Sequence, residues 1–401
     1  MRVALVHDWL TGMRGGERVL EGMLDLFPGA EIFTLLHVPG SVSGKIEARP
    51  IHTSALEQAP FARRRYRGYL PLFPLAVESL RVRGFDLVLS SSHCVAKAVR
   101  TGGAPHLCYC HTPMRYVWDQ FDSYFSGGYR RLLRGLAAPV AGALRRWDAA
   151  TSRRVHAFVA NSSHVRDRIR RSYGRDAAVV HPPVEVARFR QPRAPEDFYL
   201  VVSALVPYKR VALAVRACTL LGRRLVVAGD GPEAARLRRI AGPTVAFLGR
   251  VSDEEVADLY SRCRALLFPG VEDFGITAVE AQAAGAPVVA LAAGGLLETV
   301  SGPRVGTAGE VVQRPDSGEA ACTGVFFTEP SAEAMAAALL HLERMEFDED
   351  ALRRNAERFA PPHFHEGMLR EVVRLLTRQV CVPEPARQLL SQGTVGPTVV
   401  A

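Results

Sequence analysis

Two glutamates, Glu272 and Glu280, stand in the stretch GVEDFGITAVEAQAAGAPVVA, which covers residues 270–290. The apolar run 264–269 before it predicts a buried strand, and the residues after it predict a helix over 277–284. An otherwise apolar strand–turn–helix unit therefore carries one carboxylate in its turn and another in its helix, where both can take part in chemistry.

The turn between this strand and this helix is Phe274-Gly275. The N–H groups of Gly275, Ile276 and Thr277 lack partners inside the helix, so they can point into a cleft and attract a phosphate. Carboxylates in contact with a phosphate would repel it, so the two acids are expected to accept hydrogen bonds from hydroxyl groups on either side. A nucleotide sugar fits this pattern, with the second acid on the ribose and the first on the transferred hexose. The spacing alone also fits a solvated helix face with an acid that stabilises the helix dipole.

A lysine at position 209 is a candidate for stabilising a leaving diphosphate. The chain has only three lysines, Lys45, Lys97 and Lys209, so nearly all of its basic residues are arginine. An ammonium group with three donors can meet the negative charge that develops on a departing β-phosphate. The alternative is a solvated surface lysine at the start of a helix.

Length and composition limit the classes of protein to which this chain can belong. The chain has 401 residues, 48% of them hydrophobic and 23% charged, which predicts a soluble protein of two domains. No apolar run is long enough for a transmembrane helix, and no signal-peptide pattern opens the chain. Seven scattered cysteines favour a reducing cytoplasm over a disulfide framework. The formal charge of +9 suits anionic partners.

Apolar β-branched runs alternate with helical patterns along most of the chain, which predicts parallel sheets built from βαβ units. The polar, proline-containing stretch 188–197 is interpreted as a linker. We therefore expect two doubly wound, Rossmann-like α/β domains that face a cleft, at 1–190 and 198–360. The predicted strands are 3–8, 31–36, 85–90, 106–111, 157–161 and 178–181 in the first domain, and 199–205, 224–229, 244–249, 264–269, 287–291 and 324–327 in the second.

The C-terminal part of the chain predicts two helices within 350–380, separated by Ala360-Pro-Pro362. The second, at 361–380, is expected to complete the first domain. The final segment 381–401 is rich in proline and glycine and is expected to be mobile.

The stretch 270–290 resembles the Glu-x7-Glu motif of the retaining GT-B glycosyltransferases of family 4. The resemblance continues in order and spacing over most of the chain. It includes VVSALVPYKR (201–210), VVAGDGPE (226–233), VAFLGRVSDEEVADLYSRCRALLFPG (245–270) and GGLLETV (294–300) in the second half, and HDWLTGMRGGERVL (7–20), LVLSSSHCVAK (87–97), YCHTPMRYVWD (109–119) and VVHPPV (179–184) in the first.

This resemblance implies a GT-B fold and roles for several residues. Glu272 would face the donor sugar, Glu280 the ribose and Lys209 the diphosphate. The family usually has an arginine five residues before the lysine, where this chain has Ala204. Arg210 or Arg250 is a candidate for the missing charge.

The first half supplies further candidates by the same resemblance. Gly15 and Gly16 would form a loop near the donor phosphates and the acceptor, where glycine permits close approach. Asp8 and Arg14 flank this loop and are candidate acceptor contacts. His111 would face the donor sugar; an isolated histidine at a strand end is otherwise often structural.

No metal or cofactor is expected. Cys108, Cys110 and His111 do not share one face of a strand, and no second cluster completes a zinc site. The pair Asp348 and Asp350 is interpreted as charge at a helix N-terminus rather than as a metal site.

Two basic stretches, 61–85 and 129–154, mix arginine with aromatic and aliphatic residues. They suit contact with an anionic membrane surface, or else amphipathic helices whose arginines are solvated. Nucleic acid is not expected as a partner, because no recognition motif accompanies the charge.

Together these features predict a retaining hexosyltransferase, cytoplasmic or peripheral on the inner face of the cytoplasmic membrane. The first-half segments resemble bacterial polysaccharide mannosyltransferases, which favours GDP-mannose as donor and a glycan or polyprenyl-diphosphate-linked acceptor in surface polysaccharide assembly. The alternatives are a nucleotide-sugar epimerase or phosphorylase of the same fold and a non-catalytic nucleotide-sugar-binding protein. A dehydrogenase is disfavoured, because no G-x-G-x-x-G follows the first strand.

Overall fold

A computed structural model describes residues 1–118, 130–314 and 322–378 of the chain. Two sheets organise it, and the change from one to the other falls between residues 179 and 199. The segment 381–401, expected to be mobile, lies outside the described residues, as does the start of the basic stretch 129–154.

The first sheet has seven parallel strands in the order β3-β2-β1-β4-β5-β6-β7. This is the doubly wound order, in which the chain reverses direction across the sheet between β1 and β4 and leaves a crevice at the carboxyl ends. The strands are β1 Val3–His7, β2 Glu31–Thr34, β3 Ile51–Thr53, β4 Leu87–Ser92, β5 His106–Cys110, β6 Ala157–Ala160 and β7 Ala177–Val179.

In the part of the chain that the structure describes, the second sheet has the order β10-β9-β8-β11-β12-β15-β13-β14, and only β14 is antiparallel to its neighbour. Its reversal point lies between β8 and β11. The strands are β8 Tyr199–Val202, β9 Leu225–Ala228, β10 Val245–Gly249, β11 Ala265–Phe268, β12 Val288–Leu291, β13 Arg304–Val305, β14 Val311–Gln313 and β15 Gly324–Phe327.

Helices cover both faces of each sheet. They are α1 Gly15–Leu26, α2 Gly44–Glu47, α3 Ala62–Arg65, α4 Phe73–Glu78, α5 Arg115–Trp118, α6 Arg130–Thr151, α7 Ser163–Tyr173, α8 Val211–Leu221, α9 Ala234–Ile240, α10 Asp253–Arg262, α11 Ile276–Ala283, α12 Leu296–Thr299, α13 Ala332–Leu342, α14 Glu349–Glu357 and α15 Pro361–Arg378. Among the described residues, no helix combines the length and apolar content needed to cross a bilayer.

The central strands β1, β4, β5, β11, β12 and β15 are buried along their whole length. Burial on both faces explains the continuous apolar runs of β11 and β12, and the predicted α/β class with two Rossmann-like sheets is confirmed. The domain boundaries 1–190 and 198–360 stay a prediction.

The helix α15 returns to the first sheet. Phe364 and Met368 lie in the same buried cluster as Leu5 of β1 and Leu107 of β5. A Cβ atom at Gly22 of α1 would lie 2.8 Å from the Phe364 ring, so the two helices pack at the closest distance that a glycine allows. The end of the chain that the structure describes therefore covers the first sheet.

Buried lysine anchors α6 to the first sheet. The Lys97 Nζ atom lies 3.0 Å from Asp148 Oδ1 and donates to the Asp148 carbonyl oxygen at 2.6 Å. Asp148 also accepts hydrogen bonds from Trp118 and Tyr173 at 2.8 Å. Because Lys97 and Asp148 compensate each other's charge, this buried network leaves neither of the two charges unpaired.

Candidate active site

Lys209 and Glu272 meet at the carboxyl ends of β8 and β11. Lys209 ends a 3₁₀ turn, Pro207–Lys209, that precedes α8, and Glu272 lies just after β11. The Lys209 Nζ atom is 2.7 Å from Glu272 Oε1. A Cβ atom at Gly270 would lie 3.0 Å from the Lys209 carbonyl oxygen, so the glycine lets the two segments come this close. The two side chains therefore share one space in front of the sheet.

The N-terminus of α1 lies against the N-terminus of α11. A Cβ atom at Gly15 would be 2.7 Å from Ile276 Cδ1, and one at Gly16 would be 3.3 Å from the His7 ring. Neither glycine has a positive φ angle, so their small size, rather than their conformational freedom, is what the fold uses. Gly15 and Gly16 open α1 instead of forming a free loop. Two positive helix ends thus converge, an arrangement that an anion between them stabilises.

The turn before α11 has the predicted form. Gly275 is the N-cap residue with φ of +96°, and its Cα faces the Leu296 side chain so closely that a Cβ atom would lie 3.0 Å from it. The Phe274 ring is buried, 5.5 Å from the His181 ring and 5.3 Å from the Phe359 ring. Thr277 is half-buried in the first turn of α11. The helix starts one residue earlier than predicted.

Glu280 lies one turn into α11 and accepts a hydrogen bond from the Tyr260 hydroxyl at 3.1 Å. Burial raises the pKa of Glu280 to about 7. Its side chain lines a cavity together with residues of both halves of the chain, among them Arg18, Phe189 and Ile276. The carboxylate is therefore available to a ligand that enters between the two sheets.

Asp273 is a site residue that sequence reasoning missed. It follows Glu272 directly, is buried, and pairs with two arginines from the first half of the chain, Arg115 and Arg168. Burial alone would raise the pKa of Asp273, but the Arg115 and Arg168 guanidinium groups outweigh burial and lower it. The Ser162 hydroxyl also donates to the Asp273 carbonyl oxygen. The segment that carries Glu272 is thus tied to the opposite half.

Glu298, in the GGLLETV segment, makes a second tie of this kind. Its carboxylate accepts hydrogen bonds from the Ser163 N–H at 2.8 Å and the His164 N–H at 3.4 Å, at the start of α7. It also lies 3.1 Å from His181 Nε2. A glutamate at a helix N-terminus is favoured by the dipole. In the sequence, the only sign of this contact is that Glu298 is an acidic residue within a segment that resembles the family.

His111 follows β5, and its Nε2 atom is 2.8 Å from Ser91 Oγ. Burial, with His93 and His7 nearby, lowers the pKa of His111 to about 3, so the ring is neutral at physiological pH. A Cβ atom at Gly16 would lie 3.8 Å from the same nitrogen. His111 is therefore next to the α1 start.

The Asp8 side chain is directed into the protein interior. Its side chain is fully buried, and its carboxylate accepts hydrogen bonds from the N–H groups of the four consecutive residues 93–96 at 2.6–2.9 Å. This arrangement argues against the acceptor contact predicted for Asp8, because both oxygens already hold the chain after β4. Arg14, the other predicted acceptor contact, is exposed at the N-cap of α1.

Position 204, where the resemblance would place an arginine, is Ala204, which is exposed. Arg210 is exposed and has φ of +51°, between the 3₁₀ turn and α8. Arg250 is exposed after β10. The structure places both arginines at the surface.

Within the described residues, no group of three or more histidine, cysteine or acidic side chains is arranged to hold a metal ion. Cys108 and Cys110 are buried in β5. The interpretation of Asp348 as a helix-start residue is confirmed, because its side chain accepts a hydrogen bond from the Asp350 N–H at 2.9 Å as the N-cap of α14.

Two facing doubly wound sheets, with Lys209, Glu272 and two helix starts between them, define a GT-B architecture. Two family models match the chain in succession: Glycosyltransferase Family 4 over residues 15–188 and Glycosyl transferases group 1 over residues 185–359. The chain belongs to the group 1 glycosyltransferases of family 4.

Relatives of known name match parts of the chain. A D-inositol 3-phosphate glycosyltransferase of Streptomyces scabiei is 32% identical over 232 residues, which cover 48% of this chain and 51% of that protein. A GDP-mannose-dependent alpha-(1-6)-phosphatidylinositol dimannoside mannosyltransferase of Mycobacterium tuberculosis is 36% identical over 138 residues, 32% of this chain and 36% of that protein. The matches thus span about half or less of these relatives' length.

Among solved structures, HepE of Anabaena in complex with UDP-glucose superimposes with a TM-score of 0.66 at 15% identity, covering 92% of this chain and 99% of that one. At this identity the likeness establishes the fold alone.

Proposed function

We propose that this protein is a retaining hexosyltransferase that takes a sugar from a nucleotide sugar, with GDP-mannose as the favoured donor. The observation that carries the proposal is the convergence of the α1 and α11 starts, where Gly15 meets Ile276, beside the Lys209–Glu272 pair. Two helix ends and an ammonium group suit a diphosphate, and carboxylates at its two sides suit hydroxyl groups.

The site residues divide the reaction between them. When the bond between the sugar C1 atom and the phosphate oxygen breaks, the electron pair stays on the diphosphate, and Lys209 with the helix-start N–H groups stabilises that charge. Glu272 and His111 hold the sugar, and Glu280 holds the ribose. The acceptor hydroxyl forms the new bond to C1 on the face that the diphosphate leaves, and a diphosphate oxygen takes the hydroxyl proton. No step requires a metal ion.

The donor is proposed from two sources. The first-half motifs resemble mannosyltransferases, and one relative is named for its dependence on GDP-mannose. A structural neighbour that was solved with UDP-glucose makes that sugar nucleotide the natural comparison.

A thermal-shift and calorimetric comparison of GDP-mannose, UDP-glucose and an ADP-sugar tests this choice. GDP-mannose should bind most tightly, and a stronger response to UDP-glucose would reassign the donor. Transfer with retention is tested by NMR of the anomeric proton in the product, using mannosides of different chain length as acceptors.

A non-catalytic nucleotide-sugar-binding protein is the second candidate, because Ala204 brings no charge to the diphosphate. A measurement of donor turnover distinguishes the enzyme from the binding protein. If the natural protein binds donor but neither transfers nor hydrolyses its sugar under any acceptor, the binding role replaces the enzymatic one.

We also propose that the acceptor is a glycan or a lipid-linked saccharide, reached at an anionic membrane. Phe61, Leu72 and Leu75 are exposed large hydrophobic side chains in α3, α4 and the turns that flank them, with Phe61 and Leu75 exposed by 75% and 73%. Arg64 and Arg65 are exposed beside them. We call these residues the 61–75 surface. Exposed apolar side chains with arginines beside them suit the headgroup region of such a membrane.

Vesicle sedimentation tests this surface. The protein should bind phosphatidylglycerol vesicles and not phosphatidylcholine vesicles, with binding weakened by salt. The double variant Phe61→Ser/Leu75→Ser should lose its binding to the phosphatidylglycerol vesicles. Leu220→Ser is the matched control, since Leu220 is 65% exposed in α8 on the other half of the chain. Equal loss in both variants would contradict the proposal.

A further inference from the structure

A chain of buried polar side chains runs beneath His111. The Glu17 Oε1 atom, on α1, lies 3.6 Å from His7 Nε2. His7 ends β1, and its Nδ1 atom is 3.1 Å from Ser91 Oγ on β4. The same Ser91 oxygen is 2.8 Å from His111 Nε2. Glu17, His7 and Ser91 are all at most 4% exposed, so no solvent interrupts the series.

The assignment of hydrogen atoms depends on whether His7 carries one proton or two. A doubly protonated His7 would donate to Ser91 and leave His111 as its Nδ1–H tautomer, so the series described below takes His7 as neutral. Its Nε2 atom faces a carboxylate, so it carries the hydrogen, because a lone pair there would be repelled. The His7 Nδ1 atom is then an acceptor.

The rest follows from the chemistry of a hydroxyl group. Ser91 has one hydrogen to donate and lone pairs that accept. It donates to His7 Nδ1, and its oxygen accepts from His111 Nε2–H. The His111 Nδ1 atom is left with a lone pair, and it has no hydrogen-bond partner in the part of the chain that the structure describes.

We propose that Glu17, His7 and Ser91 are positioning residues that fix His111 as its Nε2–H tautomer and thereby present the Nδ1 atom as a hydrogen-bond acceptor for a hydroxyl group of the bound sugar. The proposal rests on the proposed function for the identity of that ligand. The tautomer itself is a property of the unliganded protein.

The same strand contains a built-in comparison. Ser90 neighbours Ser91 in β4 and is equally buried, and its hydroxyl lies 2.8 Å from His106 Nε2. Successive residues of a strand point to opposite faces, so this second serine–histidine pair lies on the other side of the sheet from His111. Ser90→Ala removes a hydrogen bond of the same kind without touching the chain beneath His111.

The test is long-range ¹H–¹⁵N NMR of the protein labelled with ¹⁵N-histidine, with the His111 and His7 signals assigned from His111→Gln and His7→Gln. His111 in the wild type should show the Nε2–H pattern. In Ser91→Ala it should shift toward a mixture of tautomers, Ser91→Thr should restore the wild-type pattern, and Ser90→Ala should leave it unchanged. The kcat/KM for transfer from GDP-mannose should fall by roughly three- to tenfold in Ser91→Ala, the range of one lost hydrogen bond.

Two results would overturn the proposal. One is a wild-type His111 in the Nδ1–H form or already mixed. The other is a His111 tautomer that Ser91→Ala does not change. A wild-type protein without transferase activity would contradict the proposed function instead, and the NMR result would still decide the role of the chain.

Discussion

The Lys209 ammonium group lies 2.7 Å from the Glu272 carboxylate, and the two side chains come from loops that follow neighbouring strands of the second sheet. Without a ligand, each neutralises the other. In the proposed reaction, a diphosphate that enters beside Lys209 would compete with Glu272 for the ammonium group and free the carboxylate to accept hydrogen bonds from a sugar. The pair would thus couple phosphate binding to sugar binding.

Replacing Lys209 with alanine should lower kcat by a factor on the order of 10²–10³, because the developing diphosphate charge loses its ammonium partner. Steady-state kinetics with GDP-mannose measure this. Arg223→Ala is the matched control. Arg223 pairs with Glu343 at 2.8 Å, and Glu343 is 13% exposed, close to the 14% of Glu272, but Arg223 precedes β9, whereas Lys209 and Glu272 follow their strands. An effect below about threefold in Lys209→Ala would place the phosphate contact elsewhere.

Replacing Glu272 with alanine should abolish transfer, because the sugar loses its carboxylate and Lys209 loses its partner. Donor binding measured by calorimetry separates the two losses: GDP alone should still bind, since it has no sugar for Glu272 to hold. Wild-type rates in Glu272→Ala would remove the role assigned to this residue.

Donor affinity should rise with pH through about 7, the pKa to which burial raises Glu280. Ribose hydroxyls donate hydrogen bonds, so they favour the ionised carboxylate, and binding must be weaker where the acid is protonated. Below pH 7 the Kd should increase by up to about tenfold per pH unit. Calorimetry with GDP-mannose measures this cleanly, because its diphosphate has no ionisation of its own near neutrality.

Glu280→Gln is the control for this pH dependence. The Glu280→Gln variant should bind donor with an affinity that varies little between pH 5.5 and 8. This range reaches about one and a half pH units below the shifted pKa of Glu280. If the pH dependence persists in Glu280→Gln, another group is responsible for it.

Sequence reasoning located the central strands because most of them contain an apolar run that is buried on both faces. It missed β3, β13 and β14, which are two or three residues long and lie at or next to sheet edges. β3 and β14 are largely exposed, and the two valines of β14 are too short an apolar run to predict a strand. Such strands are defined by hydrogen bonds to a neighbour, which a local pattern does not report.

In the candidate site, too, the features set by adjacent residues were predictable and those set by distant residues were not. The turn at Phe274-Gly275 and the helix after it were predictable, because they depend on adjacent residues. The pairing of Asp273 with Arg115 and Arg168 joins positions more than 100 residues apart, and no local pattern indicates it. For Asp8 the sequence showed an acid at a strand end, and only the fold shows that its oxygens are occupied by backbone N–H groups.

Transfer activity should not change when EDTA is added. The proposed site places only Lys209 and helix N–H groups on the diphosphate, and the described residues offer no metal cluster. Activity measured with EDTA, and again after adding Mg²⁺ or Mn²⁺, is the check. Complete inhibition that either ion reverses would contradict the metal-free mechanism.

The pair of Asp273 with Arg115 should couple the two halves of the chain energetically. A double-mutant cycle of Asp273→Asn and Arg115→Gln, measured by urea unfolding, should give a coupling energy of about 1–3 kcal/mol, since both groups are largely shielded from water. The pair of Arg262 with Glu196 is the comparison. It is 39% and 45% exposed and should give less than about 1 kcal/mol.

Asp273→Asn should also lower transfer, because Asp273 fixes the segment that carries Glu272. The loss should appear mainly in kcat, since the proposed contacts to the nucleotide are made by Lys209 and α11 and not by Asp273. A coupling energy no larger than that of the surface pair, together with unchanged kcat, would show that the two halves are held in register by other contacts, such as the one from Glu298 to the start of α7.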